Sequence, residues 1–367
     1  MIESEQHVAV PEQPRRISGK HFSHCQWSCP VVEDIYYIDC VFSDIDIEGL
    51  VGRGISFERC RFSNVRIKGA DLHLCTLRHC EMTNVDIRQS TVFNISFLET
   101  PCQGIQLEQC QIERWMMAGC HLEHARWNDT SISYWTAQNT PVQDVIMSGG
   151  TFQDGNWHEC TLQQVFWQGT TISRQVMGSC TLKQCEYQHT ACDIFIWSSC
   201  QLQEIDFRNV NLSCSGFQKS VLRDCQFAGC KMDATQFNGA QIQQCDFGQT
   251  DLSCSQFTDA TISNCSFLSA NLVRATLKRA KLTSCNLTQA DFSHADMRFA
   301  DLKTSLLQPA ITHKTRLHGA TLQPLDWALQ TPEPLMGQLD SWYSLHRPGP
   351  KVNTESPSLS SGASRYV

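Results

Sequence analysis

Twenty-one cysteines and 13 histidines are the side chains of this chain best equipped for chemistry. Thiolate and imidazole hold zinc, paired thiols form disulfides, and a Cys–His pair serves as nucleophile and base. His73, Cys75, His79 and Cys80 form the densest cluster along the sequence. Cys25-Gln-Trp-Ser-Cys29 is spaced one residue wider than a CxxC motif. No GxxxxGK[ST], GxSxG or HExxH pattern occurs. Linear proximity decides nothing until the elements that aim these side chains are known.

Those elements follow a five-residue period. From Phe22 to Leu307, every residue whose number leaves remainder two on division by five is apolar or small, Gly52 being the one clear failure. There are 58 such positions without an insertion, a register that neither the helical period of 3.6 nor the strand period of 2 sustains. A second column, at multiples of five, is small or slender: Cys60, Ala70, Cys80, Ser220, Cys245, Ala260, Ala290. Sixteen of the 21 cysteines occupy it. Two of every five residues therefore face inward and three face water. In this frame Cys75 and Cys80 point inward on successive faces while His73 and His79 point outward, so no zinc set converges. Stacked thiols such as Cys40, Cys60 and Cys80, or Cys160, Cys180 and Cys200, sit about 4.8 Å apart with parallel Cα–Cβ bonds, longer than disulfide geometry allows. All 16 read as reduced, buried, small hydrophobes.

Ala270-Asn271-Leu272-Val273-Arg274, Ala290-Asp291-Phe292-Ser293-His294 and Ala300-Asp301-Leu302-Lys303-Thr304 resemble the pentapeptide-repeat family over about residues 20–322. The resemblance implies an all-β, right-handed quadrilateral β-helix with one pentapeptide per face and 20 residues per coil. Asp71, Asp251, Asp291 and Asp301 then belong to the family's turn pattern and are not paired acids and bases. Charge patterning supports the coil length, because residues 20 apart become stacked neighbours. Thirteen pairs at that spacing are opposite in sign, among them Asp39–Arg59, Asp154–Arg174, Asp259–Arg279 and Asp296–Arg316; four are alike. Phe207, Phe227, Phe247 and Phe267 stack on one face, and Phe217, Phe237 and Phe257 on the opposite one. Fourteen or fifteen coils make a rod roughly 70 Å long. Between 101 and 200 the small column is broken by Trp115, Trp135, Gln175 and Phe195. Ala137 compensates Trp135, and the zone reads as distorted but in register.

The ends and the surface carry the remaining expectations. Residues 1–19 are a polar lead-in without an apolar leader segment, and no 18-residue apolar run predicts a membrane span. After Leu322 the register dissolves. Leu335, Leu339, Trp342 and Leu345 mark one face of a short helix, so 323–347 is expected to form a helical cap over the open edge or a contact in an end-to-end homodimer. Residues 348–367 are expected to be disordered. The net charge of -8 argues against direct nucleic-acid binding. Arg274, Lys278, Arg279, Lys281, Arg298, Lys314 and Arg316 gather on the last coils as a candidate docking site for an acidic partner.

No catalytic, metal or cofactor residue is assigned. The expected function is a non-catalytic, protein-binding scaffold of unknown partner, an adaptor or effector-associated protein of a bacterial secretion system, in a reducing cytoplasm unless such a system exports it. The family resemblance implies an alternative, a DNA mimic that protects DNA gyrase or topoisomerase IV. The 201–300 segment is balanced in charge; 101–200, with nine acidic and four basic residues, suits that role better, with Asp144, Asp154 and Glu159 as its carboxylates.

Overall fold

A computed structural model describes residues 15–28, 31–307 and 309–322. The expected helix with Leu335, Leu339, Trp342 and Leu345, and the expected tail 348–367, lie outside the described residues. All described residues belong to one compact unit.

Every strand pairing is parallel and joins a residue to the one 20 positions later. Arg15–Ser18 ladders onto Ile35–Ile38, five residues ahead of the expected start, and the same offset holds through Thr261–Ser263 on Lys281–Thr283 and the bridge Asp301↔Thr321. The result is a parallel β-solenoid with a 20-residue coil of four pentapeptides. Its corners have a fixed address. Among the described residues, every one with φ in the left-handed region, apart from Gly150, leaves remainder four on division by five. The backbone bends there, so each pentapeptide begins a new face.

The two halves of the solenoid turn these corners differently. Before residue 200, pairs of pentapeptides ladder through the corner as eight-residue strands, for example Val41–Glu48, Thr161–Gln168 and Ala191–Ser198. Their first positions carry strand formers such as Thr91, Thr151, Thr161 and Thr171. After Gln203, most faces become hydrogen-bonded turns. The N–H of Val210, Ser215, Cys230 and Ala240 donates to the carbonyl three residues earlier, at 3.0–3.2 Å. With the second central residue at positive φ, these are type II turns. Asp or Asn at the first position of the pentapeptide holds the turn, because its Oδ1 accepts the N–H two residues on: Asp246 from Gly248 (2.9 Å), Asp251 from Ser253 (3.1 Å), Asp291 from Ser293 (2.8 Å). Asp251, Asp291 and Asp301 lock turns as expected, whereas Asp71 opens the strand Asp71–Arg78 and its Oδ1 lies 2.9 Å from His73 Nε2, which corrects the expectation for that residue.

The core follows the two inward columns. From Val92 to Leu307 every remainder-two residue is buried. Before that, Phe22, Trp27, Val32, Phe57, Phe62, Ile67 and Ile87 are only partly buried, which corrects the expectation of uniform burial. Gly52 leaves no gap of its own: a Cβ there would lie 2.7 Å from Ile55 Cδ1 and 2.8 Å from Leu72 Cδ2. The Phe columns stack as predicted, with centroids 4.7–5.1 Å apart from Phe207 to Phe267 and Phe217 to Phe257. Each such pair contributes about 0.5–1.5 kcal/mol beyond its buried area, more than an exposed ion pair.

The irregular zone keeps register throughout. Trp135 and Ala137 are both fully buried, large against small. Gln175 replaces a small residue by hydrogen bonding: its Nε2 donates to the carbonyls of Phe152 (3.2 Å) and Ser173 (3.0 Å), and its Oε1 accepts from Trp157 Nε1 (3.2 Å). Gly155, one coil earlier, makes room, since a Cβ there would collide with the Gln175 amide.

Candidate interaction surfaces

The small column explains the cysteines. Many thiols and hydroxyls at multiples of five donate to the carbonyl of the large residue on the preceding coil, and others, such as Cys180 to Gly178 O, to a carbonyl of their own coil. Cys110 reaches Ile87 O (3.3 Å), Cys200 reaches Met177 O (3.3 Å), Thr250 reaches Phe227 O (2.8 Å) and Ser305 reaches Leu282 O (2.9 Å). Burial pushes the Cys75 thiol up to about 11 and those of Cys185, Cys192 and Cys230 up to about 12. Fifteen of the 16 column cysteines are buried; Cys25, on the first coil, is only partly so, which corrects the expectation for that residue. His73 Nε2 lies 2.9 Å from Asp71, and His79 Nδ1 3.2 Å from Glu99, while Cys75 and Cys80 are buried between them. Among the described residues no three His, Cys, Asp or Glu side chains are placed to share a metal ion.

The coil brings the cationic residues together. Arg274, His294 and Lys314 occupy successive levels of one corner, each at φ near +60° (58°, 61° and 53°). On the face that follows, Lys278 is level with Arg298 one coil on, and the backbone of Arg316 pairs with that of Asp296. Arg279 takes the next corner, and Lys281 opens the face beyond it. Arg279 binds Asp259 through two bonds of 2.6 and 2.7 Å, holding that carboxyl below its ordinary range. Arg298 grips Asp296 in its own pentapeptide at 2.6 Å, so the expected Asp296–Arg316 pair does not form. Among the described residues Arg274, Lys278, Lys281, Lys314 and Arg316 have no carboxylate oxygen within 4.0 Å. Residues 270–322 hold eight Lys and Arg against three Asp, a surplus of five in a chain of net charge -8. Lys303, beside Lys281's column, is the eighth; position within the 20-residue coil would have included it.

The acidic candidates do not gather. Asp144, Asp154 and Glu159 stand at three different corners, since their positions within the coil differ by five or more. Each has a cation or imidazole beside it: His124 at 3.5 Å from Asp144, Arg174 at 2.6 Å from Asp154, His158 at 3.5 Å from Glu159. Of the 13 opposite-charge pairs expected between coils, six close to ion pairs: Asp39–Arg59, Asp46–Arg66, Arg61–Glu81, Arg88–Glu108, Asp154–Arg174 and Asp259–Arg279.

Residues 200–272 match the description of a pentapeptide repeat region, and residues 55–91 and 270–308 match that of pentapeptide repeats. The chain is a pentapeptide-repeat protein. The matched 200–308 stretch is the half of this pentapeptide-repeat solenoid built from type II turns. Similar solved structures include HetL, a pentapeptide repeat protein involved in heterocyst differentiation regulation from the cyanobacterium Nostoc, with 17% identity, 52% of this chain and 91% of that one covered, and a TM-score of 0.23. A pentapeptide repeat protein of the Arabidopsis thaliana thylakoid lumen has 22% identity over 28% of this chain and 70% of its own, with a TM-score of 0.24. QnrB1, a plasmid-mediated fluoroquinolone resistance protein, has 17% identity over 56% of this chain and 96% of its own, with a TM-score of 0.25. Among curated proteins none matches this chain.

Proposed function

We propose that this pentapeptide-repeat protein is a non-catalytic scaffold that docks an acidic protein on the cationic face of its last coils. The observation that carries the reading is the surplus of five positive charges over residues 270–322, where Arg274, Lys278, Lys281, Lys314 and Arg316 have no carboxylate oxygen within 4.0 Å among the described residues. Elsewhere on the solenoid ion pairs such as Asp39–Arg59, Asp46–Arg66 and Asp154–Arg174 close between neighbouring coils. A surface charge left uncompensated steers a partner of opposite sign and sets its register. The buried thiols suit a reducing bacterial cytoplasm, and an adaptor role beside a secretion apparatus is the setting we favour. A mimic of duplex DNA would need a continuous acidic face, and the separation and pairing of Asp144, Asp154 and Glu159 weigh against that alternative.

The test is retention on immobilised poly-L-glutamate over a salt gradient. A chain of net charge -8 is repelled on average, so retention requires a local cationic face. Wild type is expected to be held at low salt and released as salt rises, and the quadruple charge reversal of Arg274, Lys278, Lys314 and Arg316 to Glu to flow through. Equal retention of the two proteins refutes the docking face. Protection of gyrase from a quinolone by the purified protein would establish the mimic instead.

A further inference from the structure

The two ends of the solenoid fill their cores by different rules. In the later coils the aromatic columns are opposed, half a coil apart. Phe207 and Phe217 meet across the axis at 6.5 Å and 81°, Phe217 and Phe227 at 5.9 Å and 87°. All three are 0% exposed. In the first coils the aromatic columns are adjacent. Tyr37 meets Phe42 edge-on at 5.4 Å, and Phe57 meets Phe62 at 5.0 Å, so the rings crowd one corner. The other two columns carry aliphatic side chains over the same coils, Ile47, Ile67 and Ile87 in one and Leu72 in the next.

A cavity of about 110 Å³ lies between these two sets. Among the residues that line it, all are aliphatic, aromatic or thioether side chains save Cys75. Phe57, Phe62, Ile67 and Ile87 point inward yet remain partly accessible, and all four line this void. Its lining takes Trp27, Ile47, Ile67 and Ile87 from four successive levels of one column. At about 4.8 Å per level the void runs along the axis for roughly 14 Å and is correspondingly narrow. Water gains nothing there, because a buried water needs two to four polar partners. Apolar cavities of about 150 Å³ stay dry and admit benzene or xenon.

We propose that the first coils of the solenoid bind a slender apolar ligand, a single unbranched alkyl chain, along their axis. The site is independent of the cationic face. Burial of the chain against aliphatic walls supplies the affinity, and the absence of polar lining selects against solutes with a polar middle. Access is by local opening of the outermost coil, where Phe22, Trp27 and Val32 are already half-buried.

The test uses the full-length protein, with n-hexane and octanoate as probes and the melting temperature followed by circular dichroism. A filled variant, Ile67→Phe with Ile87→Phe, places phenyl rings in the column that carries stacked Phe207 and Phe227 further along. Saturating hexane is expected to raise the wild-type melting temperature by several degrees and leave the filled variant unmoved. A rise with octanoate as well assigns the chain to a fatty acid or lipid; a rise with hexane alone assigns it to a free hydrocarbon. Xenon NMR on wild type gives a second readout, a saturable shift that hexane displaces, which holds should the filled variant not fold. Absence of any saturable response in wild type, or an equal response in the filled variant, overturns the proposal.

Discussion

At the scale of the residue, position within the pentapeptide decides reactivity. Cys214 and Cys254 share the element composition of the column cysteines but sit at corners, with φ of 58°, and are exposed. The column thiols are sheltered, and where burial pushes them up to about 11 or 12 the thiolate is scarce at neutral pH. Brief maleimide treatment of the native protein is therefore expected to modify Cys214 and Cys254 and spare Cys160, Cys180 and Cys200. Peptide mass spectrometry checks this, and native labelling or disulfide linkage of Cys160 or Cys180 would show the column to be open. Glycine follows the same positional logic at one place. Among the described residues Gly150 alone has positive φ, 68°, at a small-column address, and a Cβ there would collide with the carbonyl and amide of Thr130. Gly150→Ala is expected to destabilise the fold by roughly 1–3 kcal/mol, read from urea unfolding.

At the scale of the element, the turns of the second half carry a pH dependence. Asp259 is held below its ordinary value by the Arg279 guanidinium, Asp296 by Arg298, and Asp301 by the Thr321 hydroxyl. A carboxyl whose folded value is depressed binds its proton more readily when unfolded. Its contribution to stability is thus full above the unfolded value near 4 and is lost as pH falls through the lower folded value. The melting temperature is expected to decline below about pH 4, and Asp259→Asn to flatten that decline without moving the plateau at pH 7 by much, since the pair is exposed. These turns were legible in the sequence, because an Asp or Asn ahead of the large residue recurs in one frame. So was the 20-residue coil, from charges such as Asp39 and Arg59. Two things were not legible. Asp296 chose Arg298 over Arg316, a choice that depends on side-chain reach within one pentapeptide. The void in the first coils depends on which columns carry rings, and adjacent columns look as apolar as opposed ones when only one period is read.

At the scale of the whole solenoid, stability is a chain of nearest-neighbour terms, because each coil touches only the next. Such a chain need not unfold as one unit, and its weakest run of coils opens first. The described coils differ in the two terms that matter most. Those from Phe207 to Phe267 have ring stacks at 4.7–5.1 Å on opposed columns and hydrogen-bonded type II turns. Those before residue 90 have a cavity of about 110 Å³ and inward residues left partly accessible. At about 24 cal/mol per Å³, an unfilled void of that size costs on the order of 2–3 kcal/mol relative to a filled core. Surface ion pairs such as Asp39–Arg59 and Asp46–Arg66 do not offset it, each being worth under about 1 kcal/mol. Amide hydrogen exchange is therefore expected to be graded along the chain. Amides of the ladder from Cys200 to Cys265 should be the last to exchange, and those from Phe42 to Ile87 should exchange first among the inward columns. Hexane, if it fills the void, should slow the second set and leave the first unchanged. Uniform protection from Phe42 to Leu302 would mean that the coils unfold together and that the nearest-neighbour account is wrong for this solenoid.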